Sequence, residues 1–170
     1  MILKNNIVLI GMSAAGKSTI GVVIAKRLGY DFLDSDLLIQ KQEKALLSEI
    51  IEEKGVDGFL EIENNVNLGI DVQNTVIAPG GSVVYCAEAM EHLKDIAVIV
   101  YLEVPLEILK SRIKSLKSRG IVIRENQSFE DVYFERKELF EKYADITISE
   151  ESIRIEDSIE KVLDSLKGKI

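Results

Sequence analysis

Sulfur, imidazole and proline are scarce in this sequence. Its one cysteine, Cys86, excludes an internal disulfide and fits a reducing cytosol. Its one histidine, His92, cannot build a metal cluster; both residues read as structural, on and beside a helix predicted over 87–93. The two prolines, Pro79 and Pro105, each follow an apolar run and sit at a turn, where a missing N–H costs least. No run reaches about 18 apolar residues, so no membrane span is expected. The opening MILKNNIVLIGM pairs one lysine with a short apolar run. It lacks a small-residue cleavage site and leads straight into a glycine-bearing loop, so it reads as a buried first strand, not a signal peptide. Bases are outnumbered, 21 against 29 acids, for a net charge of -8. That argues against general nucleic-acid binding, which rests on phosphate neutralisation. It leaves room for a small anionic ligand, because Arg112, Arg119, Arg124 and Arg136 fall in one stretch of the chain.

What is present is enough for one domain. The chain has 170 residues, 46% of them hydrophobic, and neither internal repeat, low-complexity segment nor linker. Apolar runs at 7–10, 30–33, 75–78, 97–102 and 146–148 read as strands. Helical spacing appears at 17–28, 106–115, 130–143 and 156–166. Alternating strands and helices predict an α/β fold, a five-stranded parallel sheet with helices on both faces. The continuous apolar run AVIVYL at 97–102 suits a strand buried on both sides. Residues 115–128 are polar and aperiodic. They read either as a mobile loop or as a plain surface connection. The acidic pairs Glu52-Glu53 and Glu150-Glu151 read as solvated surface.

Residues 11–18 read GMSAAGKS and match G-x-x-x-x-G-K-[ST] between a predicted strand and an amphipathic helix. Small side chains at Gly11, Ser13, Ala14, Ala15 and Gly16 let backbone N–H groups turn inward around a phosphate. The helix that follows, opening with Lys17, Ser18 and Thr19, adds unpaired N–H groups and a positive end. Lys17 is placed to reach terminal phosphates, and Ser18 to ligate Mg²⁺. A nucleoside triphosphate is therefore the expected ligand, against a chance match in an ordinary turn.

The second strand ends in Asp34-Ser-Asp36. The carboxyl ends of parallel strands form the ligand crevice, and alternation along an extended chain sets the two acids on one side. One acid suits metal-bound water and the other an acceptor hydroxyl. A helix N-cap over 37–43 is an alternative use of the same residues, and capping does not exclude catalysis. The third strand runs into Pro79-Gly80-Gly81-Ser82. This is either a close backbone approach to ligand or a plain turn.

With these pieces in order, the chain resembles the shikimate kinase family of P-loop small-molecule kinases over almost its whole length. The resemblance rests on GMSAAGKSTIG, on Asp34 and Asp36, on Gly80-Gly81-Ser82 and on Arg112 with Arg119. It also rests on Arg136, Leu139, Phe140 and Ala144 in a late R-x-x-L-[YF]-x-x-x-A pattern. It implies an enzyme that uses ATP and Mg²⁺ to phosphorylate the 3-hydroxyl of shikimate. It further implies a substrate-binding region at about 34–66 and a lid at about 115–127 that closes over the nucleotide. By the same resemblance Lys17 and Ser18 hold phosphates and Mg²⁺, and Asp34 holds the metal through water. Asp36 binds the acceptor and acts as base. Arg112 and Arg119 serve the nucleotide, and Arg119 neutralises the moving phosphoryl group. Gly80, Gly81, Ser82 and Arg136 serve the acceptor, Arg136 through its carboxylate. A cytoplasmic monomer without nucleic-acid or membrane partners is expected.

The acceptor side departs from the family. Leu60 stands where the family has a second carboxylate-binding arginine, although Gly55, Phe59 and Glu63 around it fit. Ser82 replaces a glycine, Gln40 and Val56 replace glutamates, Gly120 replaces a proline, and Ala14 replaces a glycine in the loop. Two accounts compete: a shikimate kinase with a repaired pocket, which the continuous spacing of the motifs favours, or a kinase of a related hydroxy acid or polyol. Intact Lys17, Asp36 and Arg119 argue against a third, a nucleotide-binding module that transfers nothing. No family role attaches to Arg124.

Overall fold

Side chains alternate across a strand, so a strand that is apolar at every position must be covered twice. The first strand, β1 (Asn6–Ile10), is buried throughout. A computed structural model, which describes residues 4–113, 120–150 and 154–170, shows how both coverings are made. Helix α1 (Lys17–Leu28) follows, then β2 (Asp31–Asp34), α2 (Ser35–Glu43), α3 (Leu47–Leu68) and β3 (Thr75–Ala78). A short 3-10 turn at Val83–Tyr85 leads to α4 (Ala87–Ile96), β4 (Ala97–Glu103) and α5 (Leu106–Arg112). The chain ends with α6 (Phe129–Tyr143), β5 (Ile146–Ser149) and α7 (Ile155–Leu166). The strands form one sheet in the order β2-β3-β1-β4-β5, and every pairing is parallel.

Ile7 and Leu9 point to the face covered by α1 and α7, where Ile20, Ile24, Ile159 and Val162 pack. Val8 and Ile10 point to the other face, against Met90 and Leu93 of α4 and Val132 and Phe140 of α6. Each fully buried side chain of this size contributes about 1.5–3 kcal/mol. A third, smaller cluster joins Ile39 of α2, Ile50 and Phe59 of α3, and Val122. It ties the segment after residue 120 to the α2–α3 unit.

The expected strands and helices are found, with ends shifted by a few residues. The second strand lies one residue later than its apolar run, because Asn74 carbonyl accepts the Asp31 N–H and starts pairing there. The helix expected over 106–115 ends at Arg112, and residues 114–119 lie outside the described residues. Helix α3, expected only through the resemblance, breaks at Gly55, whose φ of 72° and ψ of 177° are not helical. The break puts its two halves out of phase, so no single apolar stripe spans them. Glu150 departs from the expected solvated surface. It is 4% exposed and faces the Arg112 guanidinium, and burial raises its pKa.

Candidate active site

The chain leaves β1 for α1 and β2 on one side of the sheet and returns to β4 on the other. This reversal opens a crevice at the carboxyl ends of the strands. The loops after β1, β2 and β3 all end there. They line a cleft of about 340 Å³ that includes Ser13, Ala14, Gly16, Lys17, Ser18, Thr19, Asp34, Asp36, Gly80 and Gly81.

The loop before α1 turns through left-handed backbone at Ala14 (φ 67°) and Gly16 (φ 95°). Ala14 therefore holds a conformation that glycine adopts without cost, and its methyl pays about 1 kcal/mol of strain. Gly16 caps α1 without any side-chain acceptor, leaving the first-turn N–H groups open to an anion. Gly11 and Ala15 are buried behind this surface. Gly11 offers its carbonyl to Lys17, and Ala15 gives its N–H to the Met12 carbonyl at 3.1 Å. Lys17 Nζ donates to the Gly11 and Met12 carbonyls at 2.9 Å each. Burial drives its pKa down to about 8, against the pull of Asp36, so it stays protonated at neutral pH.

Asp34 and Asp36 do meet in the cleft, but not by extended-chain alternation. β2 stops at Asp34 and α2 begins at Ser35, so the pair is set by a helix cap. Asp34 Oδ1 accepts the Asp36 N–H at 3.0 Å, and its Oδ2 accepts from Ser18 Oγ at 2.9 Å. The N-cap and the site are the same residue. Asp36 is pushed up to about 6 by burial and by the Asp34 charge, with Lys17 opposing.

The turn after β3 is bare for a steric reason. A Cβ at Gly80 would lie 2.7 Å from Glu63 Oε1 and 2.8 Å from Asp36 Oδ1. Two carboxylate oxygens thus converge on that backbone. The Ser82 hydroxyl donates to Glu63 Oε2 at 2.6 Å. Arg136 is not a surface residue of a charged helix: it is 1% exposed. A Cβ at Gly81 would lie 3.3 Å from Arg136 Nη1. On its other side Arg136 donates to the Val122 carbonyl and stands over the Tyr85 ring, 5.2 Å from its centroid. Arg112 Nη1 donates to the Ala14 carbonyl at 3.2 Å, against the phosphate loop. Arg119 and the first half of the expected lid, 115–119, lie outside the described residues.

Glu63 was visible in the sequence only as a motif position, with no role. It is fully buried, its Oε1 has no hydrogen-bond partner among the described residues, and burial raises its pKa to about 7 despite the Ser82 hydrogen bond. The link to stability has a definite sign. Because the folded value lies above the ordinary 4.5, the folded state holds this proton more tightly, so stability is greatest at low pH. It is lost as pH rises from about 4.5 through about 7. A shift of this size corresponds to about 3 kcal/mol. Glu63→Gln is therefore expected to raise Tm by on the order of 5 °C at pH 8, with the gap closing by pH 5. Thermal melts across that range check this, and a gap independent of pH would contradict it.

The donor set has a chemical fit. Ser18 hydroxyl and Asp34 carboxylate are hard oxygen donors in contact. Among the described residues no group of three or more His, Cys, Asp or Glu side chains converges to form a cage. That matches Mg²⁺, which keeps waters and is held by one or two carboxylates plus phosphate oxygens. No helix among the described residues is long and apolar enough to cross a membrane.

Comparison with known proteins agrees with this architecture. The sequence profile described as shikimate kinase matches residues 13–167. The shikimate kinase of Pasteurella multocida is 36% identical, over 97% of this chain and 98% of that protein. That of Thermodesulfovibrio yellowstonii is 35% identical, over 93% and 92%. The solved structure of shikimate kinase from Acinetobacter baumannii in complex with shikimate superposes with a TM-score of 0.87 at 32% identity, covering 96% of this chain and 93% of that one. Matches of this extent, on a cleft built at the carboxyl ends of the strands, mean that the chain belongs to the shikimate kinase family of P-loop phosphotransferases.

Proposed function

We propose that this protein transfers the terminal phosphoryl group of ATP to the 3-hydroxyl of shikimate. The observation that carries the reading is the convergence of Asp36 Oδ1 and Lys17 on one cleft with the glycine turn. Open N–H groups at the start of α1 receive the phosphates, and Lys17 exchanges its two loop carbonyls for phosphate oxygens. Asp36 orients the acceptor hydroxyl and takes its proton as the new O–P bond forms and the bond to the departing diphosphate breaks. Gly80 and Gly81 bring backbone N–H groups close to the acceptor, and Arg136 beside them meets its carboxylate. Ser18 and Asp34 are the residues to hold Mg²⁺, which when bound supplies charge neutralisation at the phosphates. Catalysis on this reading is positioning and electrostatics. Arg112 serves the nucleotide side from its contact with Ala14. A lid at about 115–127, bearing Arg119, excludes water, and the α2–α3 unit within about 34–66 carries the acceptor. The enzyme works as a cytoplasmic monomer without nucleic-acid or membrane partners, in keeping with its net charge of -8.

Coupled ADP release over shikimate, quinate, gluconate and homoserine tests this. Shikimate is expected to give the highest kcat/KM by at least tenfold, with ADP and phosphorylated product in equal amounts. A better acceptor elsewhere in the panel moves the assignment to that hydroxy acid or polyol. ADP release without phosphorylated product refutes transfer.

A further inference from the structure

Two partners of Arg136, Tyr85 and Val122, line a second cavity of about 250 Å³, whose lining also includes Val56, Leu60, Arg124 and Glu135. Its floor is apolar: Val56 and Leu60 pack with Val122 and Phe59. Its rim is polar and continuous. Arg136 Nε reaches Tyr85 Oη at 3.5 Å, and Tyr85 donates to Glu135. Glu135 accepts from Gln127 Nε2 at 3.2 Å, and Gln127 Oε1 accepts the Arg124 N–H at 3.3 Å. The Arg136 guanidinium also holds the Val122 carbonyl, two residues before Arg124. The Arg136 guanidinium thus links the two cavities: its Nη1 lies beside Gly81 of the cleft, and its Nε and Nη2 reach Tyr85 and Val122, which line this one.

Arg124 is the second cation of that rim. Its Nη2 donates to Asp57 Oδ1 at 2.7 Å. Asp57 and Leu60 are three apart on α3, and residues at that spacing are neighbours on a helix surface. The guanidinium therefore stands beside Leu60. Its tie to Asp57 is an exposed ion pair, with side chains 53% and 83% exposed, a kind that is weak and readily exchanged for another carboxylate. Leu60 itself offers nothing to an anion.

We propose that Arg124 supplies the second positive charge for the carboxylate of the acceptor, reaching over Leu60 from the segment after residue 120 to act with Arg136. The proposal rests on the reading that the acceptor is shikimate or a similar hydroxy acid. Arg124 is then a specificity residue: it leaves the phosphoryl group untouched and selects acceptors that carry a negative charge. Asp57 holds the guanidinium until the acceptor's carboxylate displaces it.

Steady-state kinetics with shikimate varied at saturating ATP test it. Arg124→Gln is expected to raise KM for shikimate about tenfold or more, the loss of one charged hydrogen bond. KM for ATP should stay within twofold. Asp57→Asn separates this from a structural pin, because it removes the ion pair and keeps the cation. KM for shikimate should then stay at or below the wild-type value. Leu60→Arg added to Arg124→Gln should bring KM back toward wild type, since the charge returns to the same wall. An Arg124→Gln KM within twofold of wild type overturns the proposal. So does an Asp57→Asn effect as large as that of Arg124→Gln, or a failure of Leu60→Arg to restore. A wild-type enzyme that does not turn over shikimate fails the functional reading instead, and that is seen before any variant is made.

Discussion

Asp36→Asn is expected to lower kcat by a factor of about 10²–10⁴, the usual contribution of a positioned general base, while changing ATP affinity by less than threefold. The asymmetry follows from where the residue sits. Asp36 faces Gly80 and Glu63 at the acceptor end of the cleft, whereas the phosphate loop engages the nucleotide through its own backbone. Asparagine keeps the shape and the backbone N–H that the Asp34 cap needs, so α2 should still start at Ser35. The pH profile adds a second reading. Because burial lifts Asp36 to about 6, its basic form is lost as pH falls through that value. In the wild type kcat/KM for the acceptor should therefore drop on the acid side with a limb near pH 6. The limb should vanish from the residual activity of Asp36→Asn. Equal losses in turnover and ATP affinity would refute the assignment of Asp36 to the acceptor.

Lys17→Met should lower kcat by about 10²–10³, the cost of removing one charge that meets the transition state, yet leave Tm at pH 7 no lower than in wild type. The two effects have one origin. Lys17 is 9% exposed, and its pKa is pulled from 10.5 to about 8 chiefly by burial. A folded value below the unfolded one means the folded state gives up this proton more easily. The charged form at pH 7 is then a load on stability, relieved only as pH rises through about 8 and beyond. Methionine fills similar space without the charge. Activity and thermal melts measured on one preparation check both signs together. A large fall in Tm would mean that Lys17 is chiefly a structural clasp for the Gly11 and Met12 carbonyls.

Lys17, Asp36 and Glu63 share a pattern. All three pKa values move toward the neutral form, and burial is the first cause of each shift. Burying three ionisable groups around one glycine turn lowers the stability of the fold. It is intelligible as the cost of a cleft arranged for a triphosphate and an alcohol, the usual trade between activity and stability. Glu63 differs from the other two in keeping one oxygen without a hydrogen-bond partner among the described residues. Its neighbour Ser82 occupies the remaining oxygen, and a glycine at that position would have no hydroxyl to give.

The local sequence determined the elements and the nucleotide side. Apolar runs give strands and periodic stripes give helices, because both follow from burial of neighbouring residues in the chain. The phosphate loop is contiguous as well: its backbone N–H groups, Lys17 and Ser18 are set by residues 11–18 and by the helix they begin. The tertiary structure alone decided the acceptor side, whose parts come from α2, α3, the turn after β3, α6 and the segment after residue 120. That Glu63 loses its solvent, that Arg136 is buried, and that Arg124 comes to rest beside Leu60 depend on contacts between residues tens of positions apart. Desolvation and pairing of this kind are properties of a packed cleft, and no spacing along the chain encodes them.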